Sequence, residues 1–442
     1  MKAVIQAGGK GTRISSITGD NIPKPMLEIS NYPILYHQIM NLKKSGIKDI
    51  TIIVGHLGNI IQEYFEDGKK FGVNITYVVE DPNKPLGTAG ALYYLKNKID
   101  DDFIFLLADV FIDIDFKKME YFHYKNDADV TLLTHPNSHP YDSDLVVSDK
   151  NNKVLKFDHK TNDRTKYNYH NLVNAGVMIF SKETLNYIQE EKKYSYEKDI
   201  IAPLIKNGKV FSYKSSEYAK DMGTPERYIM VQKDYDNGLI ELKNLSRKQK
   251  CIFIDRDGTI NKYVGFLRNE SQMELIPGVS TAIKNINNSE YLCIVITNQP
   301  IIARGEVTVD QLDEIHKKME KLLGNDGAYI NDLYYCPHHP DRGYEGEVTE
   351  LKVVCDCRKP STGLIKKAVE DYNIDLSQSF MIGDSTLDIK LAENSGMKSI
   401  LLLTGQAGGD GKYDVTPDYI CDNLIDAVNV VLNNEKERIL KK

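Results

Sequence analysis

The sequence predicts an α/β protein built as two doubly wound domains in tandem, and three observations carry that prediction. Short β-branched or apolar runs alternate with helical patterns over residues 1–240. A charged, aperiodic stretch, 241–250 (ELKNLSRKQK), interrupts the alternation. A new buried-strand run then starts at Cys251 and brings its own set of acidic motifs. Strands alternating with helices imply a mostly parallel sheet covered on both faces, with ligands at the carboxyl ends of its strands. A chain of 442 residues is long enough for two or three domains. The expected organisation is a domain over 1–240, a linker or short exposed helix over 241–250, and a second domain over 251–442.

Composition narrows the function classes. With 41% hydrophobic and 27% charged residues the chain reads as soluble and globular. No apolar run approaches the roughly 20 residues of a membrane helix, and the apolar part of MKAVIQAGGKG is too short for a signal peptide. A net charge of −7 argues against general nucleic-acid binding. Six cysteines do not make a disulfide framework, and three of them cluster with histidine, which points to a metal in a reducing cytoplasm.

In the first half, Ala3–Gln6, Asp49–Val54, Asn74–Val79 and Phe103–Ala108 read as strands. Ile34–Lys44, Ile60–Phe65 and Thr88–Lys98 read as helices. The first strand runs into Gly8-Gly9-Lys10-Gly11-Thr12-Arg13. Glycines let the backbone approach a ligand and aim successive N–H groups at an anion. The pattern fits neither the dinucleotide nor the P-loop fingerprint. Arg13 and the Lys24 of Pro23-Lys24-Pro25 add two fixed cations, which suits a triphosphate; the prolines restrict the backbone around Lys24.

These motifs, with others that follow in order, resemble the sugar-1-phosphate nucleotidyltransferases over almost all of residues 1–237. Leu86-Gly87-Thr88-Ala89-Gly90 is similar to the family's nucleotide-contacting turn, which implies nucleotide contacts at Gly8, Gly9, Gly11, Thr12, Gly87 and Thr88. Leu106-Leu107-Ala108-Asp109 and Asp221-Met222-Gly223-Thr224 are similar to the segments carrying the two metal aspartates. The resemblance therefore implies Mg²⁺ on Asp109 and Asp221, with Arg13 and Lys24 neutralising the triphosphate. It also implies sugar contacts from Asn174 and Glu197, and Lys160 facing the sugar phosphate. Two positions depart from the family pattern: Ala108 stands where glycine is usual, and His159 where glutamate is usual. Among subfamilies, the heptose-1-phosphate guanylyltransferases look most similar. Glu80 follows the third strand, where the family reads the base; a carboxylate accepts two donors from guanine but only one from uracil or thymine, which favours GTP.

In the second half, the buried run from Cys251 ends in Asp255-Arg256-Asp257-Gly258-Thr259. Two carboxylates at the end of a buried strand are costly unless a cation pairs with them. Leu292–Ile296 ends in Thr297-Asn298, Arg358-Lys359-Pro360 follows, and Phe380–Ile382 ends in Gly383-Asp384-Ser385 with Asp388 beyond. This ordered set resembles the haloacid dehalogenase superfamily over roughly residues 251–432. The resemblance implies Asp255 as nucleophile, Asp257 as acid and base, and Thr297 and Lys359 on the phosphoryl oxygens. It implies Mg²⁺ on Asp255, the Asp257 carbonyl and Asp384, with Asp388 supporting Lys359 or the metal shell.

Cys336-Pro337-His338-His339 and Cys355-Asp356-Cys357 supply three thiolates and an imidazole, a closed structural Zn²⁺ set of Cys336, His338, Cys355 and Cys357. A Cys336–Cys357 disulfide and His339 in place of His338 are the alternatives. Among relatives with this zinc set, Asn298-Gln299 and Ile302-Ala303-Arg304-Gly305 resemble heptose bisphosphate phosphatases rather than histidinol phosphatases, while Pro300-Ile301 departs from the usual small residues. Asn298, Arg304 and Arg358 are candidate substrate residues, the two arginines for the far phosphate of a bisphosphate. The interval from Thr259 to Pro277 is too short for a large cap domain. Cys251, Cys293 and Cys421 read as core; His37, His56 and His316 read as helix or turn residues without a partner motif.

Together the resemblances imply a cytoplasmic bifunctional enzyme of nucleotide-activated heptose synthesis for surface polysaccharide. D-glycero-D-manno-heptose 1,7-bisphosphate would lose its 7-phosphate, and heptose 1-phosphate would react with GTP to give GDP-heptose and pyrophosphate. The implied partners are these small molecules, with no nucleic acid and no membrane; a homo-oligomer is compatible with the sequence. The rival readings are the same chemistries on another sugar or nucleotide, and a histidinol-phosphate-type phosphatase beside a non-catalytic nucleotide-binding domain.

Overall fold

The computed structural model describes residues 1–9, 14–19 and 21–440. Gly11, Thr12 and Arg13 lie outside the described residues. The chain gathers into two compact units. The first comprises Met1–His135, Asp144–Asp158 and Leu172–Asn244, and the second comprises Pro136–Ser143, His159–Asn171 and Leu245–Lys442. Two short excursions from the first half of the sequence thus group with the second unit.

The first unit begins with β1 (Lys2–Ala7), a small hairpin of β2 (Glu28–Ile29) and β3 (Tyr32–Pro33), then β4 (Asp49–Val54), β5 (Asn74–Val79), β6 (Phe103–Leu107) and β7 (Val110–Asp113). It continues with β8 (Val130–His135), β9 (Leu145–Ser148), β10 (Val154–Asp158), β11 (Val173–Phe180), β12 (Val210–Lys214) and β13 (Tyr218–Asp221). The main sheet runs β10-β9-β11-β6-β1-β4-β5, with β8 against β11 and β12 against β8. β5, β4, β1 and β6 are parallel, whereas β11 runs antiparallel to β6, β8 and β9. The sheet is therefore mixed: its parallel part matches the strand–helix alternation, and β11 adds antiparallel pairs. Its period-two side chains feed two cores: Ala3, Ile5, Ala7, Ile104 and Leu106 face one way, and Val4, Phe103 and Phe105 the other.

The second unit is a parallel sheet ordered β16-β15-β14-β17-β18-β19. Its strands are β14 (Lys250–Ile254), β15 (Tyr291–Asn298), β16 (Asp332–Cys336), β17 (Phe380–Gly383), β18 (Lys398–Leu402) and β19 (Tyr419–Cys421). Ile252, Ile254, Cys293 and Val295 enter one core, while Cys251, Phe253, Leu292 and Ile294 enter the other. Cys251, Cys293 and Cys421 are buried, as expected of core residues. β14 pairs with β15 on one side and β17 on the other, so the chain reverses its direction of winding there. The end of β14, where Asp255 lies, is thus the crevice position of a doubly wound sheet.

Two local expectations are corrected. The helix expected over Thr88–Lys98 is a shorter 3₁₀ helix, Gly90–Leu95. Gly87 forms a bridge with Tyr194, and the Ala89 N–H donates to the Tyr194 carbonyl at 3.1 Å, so these groups are committed to another strand of chain. The stretch 241–250 is not a free linker. Leu245 is buried in the second unit's core, and the Asn373 Nδ2 donates to the carbonyls of Leu245 and Arg247 at 3.0 Å each.

Candidate active sites

In the first unit, strand pairing brings Asp109 and Asp221 together. Asp109 lies between β6 and β7, and β13 pairs antiparallel to β7 with Asp221 opposite Val110. The Met222 N–H donates to the Asp109 carbonyl at 3.1 Å and holds the second segment in place. Lys24, only 6% exposed, sits at the start of the 3₁₀ turn Lys24–Met26. Its Nζ lies 2.9 Å from Asp109 Oδ2 and 3.7 Å from Asp221 Oδ1. Arg227, one turn into the helix Pro225–Asp236, pairs through its guanidinium with the other Asp221 oxygen. Two carboxylates within reach of one ammonium suit a divalent cation carrying phosphates.

Beside this cluster is a cavity of about 470 Å³, lined by Gly8, Gly9, Lys24, Glu80, Gly87, Thr88 and Asp109. Gly8 leaves room for Glu80: a Cβ there would stand 2.5 Å from Glu80 Oε2, and the carboxylate would have to shift. Gly87 has φ +80°, and a Cβ would collide with the Tyr194 carbonyl. Thr88 Oγ1 accepts from the Tyr196 N–H at 3.1 Å. Glu80 is 5% exposed and accepts from Gln6 Nε2 and the Leu86 N–H, both at 3.2 Å. Burial raises its pKa, against the opposing effect of those two bonds. His56, expected to be a turn residue without a partner motif, also lines the cavity, as does Lys193.

Asn174 accepts from the Gly176 N–H at 3.1 Å, and its Nδ2 is buried without a partner among the described residues. Glu197 lies in the π-helical turn Tyr196–Ile201, whose start Ser195 caps. Lys160 belongs to the excursion that groups with the second unit, where its Nζ pairs with Asp142 at 3.1 Å.

In the second unit, Lys359 organises the acidic end of the sheet. Its Nζ donates to Asp255 Oδ1 at 2.7 Å, Asp388 Oδ1 at 2.6 Å and the Ile296 carbonyl at 3.1 Å. Asn298 braces the lysine backbone, accepting from the Lys359 N–H at 2.9 Å and donating to its carbonyl at 3.2 Å. Asp255, Asp384 and Asp388 offer carboxylate oxygens within 4.8 Å of one another, and all three are buried. Burial pushes Asp255 above the usual carboxylate range, with Lys359 opposing and the neighbouring aspartates reinforcing the rise. Burial also pushes Asp384 up, opposed by the Gln406 N–H. Burial works against the Lys359 ammonium, but Asp255 and Asp388 hold it above its ordinary value. Three buried carboxylates against one ammonium leave negative charge that a divalent cation would neutralise. Gly258, at φ +88°, makes room for this: a Cβ there would strike Asp384.

The Asp257 carboxylate stands apart from that cluster. Arg256 Nη2 donates to both of its oxygens, at 2.9 and 2.8 Å, Gln299 Nε2 donates at 2.9 Å and Asn261 Nδ2 at 3.2 Å. Arg256 is wholly buried. It also donates to Gln299 Oε1 at 3.0 Å and lies 3.0 Å from His316 Nε2. His316 is therefore partnered, contrary to expectation. Burial, then the Arg256 charge, pushes its imidazole well below the ordinary range, so it accepts from Arg256 as the neutral ring. Gln299 Nε2 also donates to Thr297 Oγ1 at 2.9 Å.

The cysteine set closes as expected. Cys336, His338, Cys355 and Cys357 present ligand atoms within 4.8 Å of one another, and all six cysteines are free. His338 Nδ1 lies 3.2 Å from Cys357 Sγ, whereas His339 Nδ1 accepts from the Asp341 N–H. This selects His338 over His339, and free thiols over a disulfide; the donor set fits zinc. Arg358 Nη1 donates to the His338 carbonyl at 3.2 Å, tying the loop to the segment carrying Lys359. The Arg304 guanidinium lies over both the Phe266 and Tyr344 rings, 4.7 and 4.5 Å from their centroids. Its Nε is buried without a partner among the described residues.

Both units gather cations and carboxylates where a phosphate would sit, so the fold and the two clusters define an enzyme with two centres for phosphoryl-group chemistry. The nucleotidyl transferase family matches residues 2–238, and the HAD-hydrolase-like family matches residues 356–427. The D-glycero-β-D-manno-heptose-1,7-bisphosphate 7-phosphatase of Haemophilus ducreyi is 37% identical over 188 residues, 41% of this chain and 98% of that protein. The corresponding phosphatase of Escherichia coli K12 is 33% identical over 200 residues, 43% of this chain and 98% of that protein. The crystal structure of HddC from Yersinia pseudotuberculosis is 26% identical with a TM-score of 0.45, covering 53% of this chain and 99% of that one. The chain belongs to the nucleotidyl transferase family and, in tandem, to the phosphatase family of these relatives. It is a nucleotidyltransferase joined to a phosphatase.

Proposed function

We propose that the phosphatase removes the 7-phosphate of D-glycero-D-manno-heptose 1,7-bisphosphate, and that the nucleotidyltransferase transfers GMP from GTP to the heptose 1-phosphate so formed. One observation carries the reading. The phosphatase relatives are named for the 7-phosphate of a 1,7-bisphosphate, and removing that group leaves a sugar 1-phosphate, the substrate class of a sugar nucleotidyltransferase.

In the phosphatase, Asp255 attacks phosphorus as the bond to the sugar oxygen breaks, and Asp257 gives that oxygen its proton. Asp257 then takes a proton from water, which attacks phosphorus and frees Asp255 and inorganic phosphate. Lys359 and Thr297 hold the phosphoryl oxygens throughout. Asp255, the Asp257 carbonyl and Asp384 would hold Mg²⁺, which supplies charge neutralisation. Arg304 and Arg358 take the 1-phosphate that must survive. The zinc set is structural: it fixes the Arg358-Lys359 segment rather than hydrolysing anything.

In the transferase, the sugar phosphate oxygen attacks the α-phosphorus of GTP and pyrophosphate leaves. Lys24 neutralises the triphosphate. Asp109 and Asp221 would hold Mg²⁺, whose charge offsets repulsion between the two anionic reactants. Glu80, which lines the cavity, accepts from the guanine edge. Lys24→Met is expected to slow pyrophosphate release from GTP and heptose 1-phosphate by about 10²–10³-fold, with phosphatase turnover as the internal control. The deciding experiment is a coupled assay: heptose bisphosphate with GTP should yield phosphate, then pyrophosphate and GDP-heptose. Preference for ATP, CTP or UTP would overturn the base assignment, and turnover of histidinol phosphate without the bisphosphate would overturn the sugar.

A further inference from the structure

The helix Val309–Asn325 lies in the second unit, capped by Thr308 in a capping box with Gln311. Its buried face carries Leu312, Ile315, His316, Met319 and Leu323. His316 is the polar member of that face and the group that accepts from Arg256, whose guanidinium holds Asp257. The same helix is gripped by the excursion His159–Asn171. His170 Nε2 lies 2.9 Å from Asp313 Oδ1 and its Nδ1 lies 2.8 Å from Glu320 Oε1. The Asn171 N–H donates to the other Glu320 oxygen at 2.8 Å. Lys321 Nζ donates to the carbonyls of Arg164 and Tyr167 at 2.7 and 2.8 Å.

Asp313 and Glu320 lie three residues before and four after His316, so the grip falls on the turns either side of it. Burial works against the His170 cation, but Glu320 and Asp313 more than offset this and hold its pKa up at about 10. At neutral pH the imidazolium is therefore flanked by two carboxylates. A partly buried cation shared by two carboxylates resists displacement, because moving it would strand both. Nothing in the phosphatase motifs requires such a grip, and its residues come from the sequence of the first half.

We propose that the excursion is a positioning element of the phosphatase: His170 sets the helix, and through His316 the helix sets Arg256 and the Asp257 carboxylate. His170 touches no reacting atom and acts only through these contacts. Because Asp257 must both give and take a proton, displacing it slows the chemical step more than it weakens substrate binding.

The inference rests on the phosphatase reading above, and the test separates the two. Full-length parent, Asp255→Asn, His170→Ala, His170→Arg and Lys321→Met are assayed on heptose bisphosphate and on p-nitrophenyl phosphate, with zinc content and thermal midpoint measured for each. His170→Ala is expected to lower phosphatase kcat about tenfold with KM within about twofold, and Lys321→Met to lower kcat about threefold. His170→Arg, which keeps a cation between the carboxylates, should restore kcat to within about twofold of the parent. A His170→Ala protein with parental kcat, or equal losses in the Ala and Arg variants, overturns the proposal. If His170→Ala does not fold, an unchanged kcat in Lys321→Met overturns it instead. Turnover of p-nitrophenyl phosphate but not heptose bisphosphate removes the substrate assignment alone, and the variants are then compared on p-nitrophenyl phosphate. Parental hydrolysis by Asp255→Asn removes the phosphatase centre and this inference with it.

Discussion

Asp255→Asn should abolish phosphate release from heptose bisphosphate, by about 10⁴-fold or more, while pyrophosphate release from GTP and heptose 1-phosphate continues at the parental rate. Asparagine has nearly the same shape but no anionic oxygen to attack phosphorus. The fold should tolerate it. Asp255 lies in a crowd of buried carboxylates, and burial already holds its pKa above the ordinary range. An acid whose folded pKa is raised costs stability at every pH above its unfolded pKa of about 4. Removing that charge relieves the cost, and Lys359 keeps Asp388 as a partner at 2.6 Å. The metal-free thermal midpoint at neutral pH should therefore be no lower than the parent's. A large fall would mean that the Lys359–Asp255 pair holds the sheet end together.

Losing the zinc set should be nearly as damaging, by another route. Cys355→Ser or prolonged chelation is expected to release zinc stoichiometrically and to cut phosphatase turnover by about 10²-fold. Structural zinc sites in small domains contribute on the order of 10 kcal/mol of apparent binding energy. Zinc on these four residues would close a loop whose last ligand, Cys357, is two residues from Lys359. Without it, Arg358 loses the fixed His338 carbonyl and Lys359 loses a defined approach to Asp255. Metal content by colorimetric assay and phosphatase kcat should fall together, and zinc added back to the chelated protein should restore both. A zinc-free protein with parental turnover would separate the loop from the catalytic segment.

Much of both centres was legible because phosphate chemistry leaves its charges at strand ends. The sequence places Asp109, Asp255, Thr297 and Asp384 beside apolar runs, and within each unit the sheet brings its own to the carboxyl ends of its strands. The cysteine spacing specified its own cluster, and geometry only had to choose between two adjacent histidines. What stayed hidden was carried by tertiary contacts. Asn298, expected among the substrate residues, also braces the backbone of Lys359, a contact no motif announces. No motif singles out Arg256, yet it heads the fully buried side chains by volume among the described residues. A signal existed for His316: it sits on the apolar stripe of an amphipathic helix, where a polar group needs a partner. The expected helix over Thr88–Lys98 shortened because the bonds around Gly87 and Ala89 are claimed by Tyr194, over a hundred residues away in sequence.

Asp388 gives the phosphatase centre a mechanical connection to its scaffold. One oxygen accepts from Lys359, and the other accepts from the Ser385 hydroxyl at 2.6 Å and the Ser385 N–H at 3.3 Å. The bond from the Ser385 N–H is the Asp388 half of the capping box that starts the helix Thr386–Ser395. The same carboxylate is thus the first rung of a helix and the anchor of an active-site cation. The two are linked through a single side chain, so whatever shifts Lys359 bears directly on the first turn of that helix.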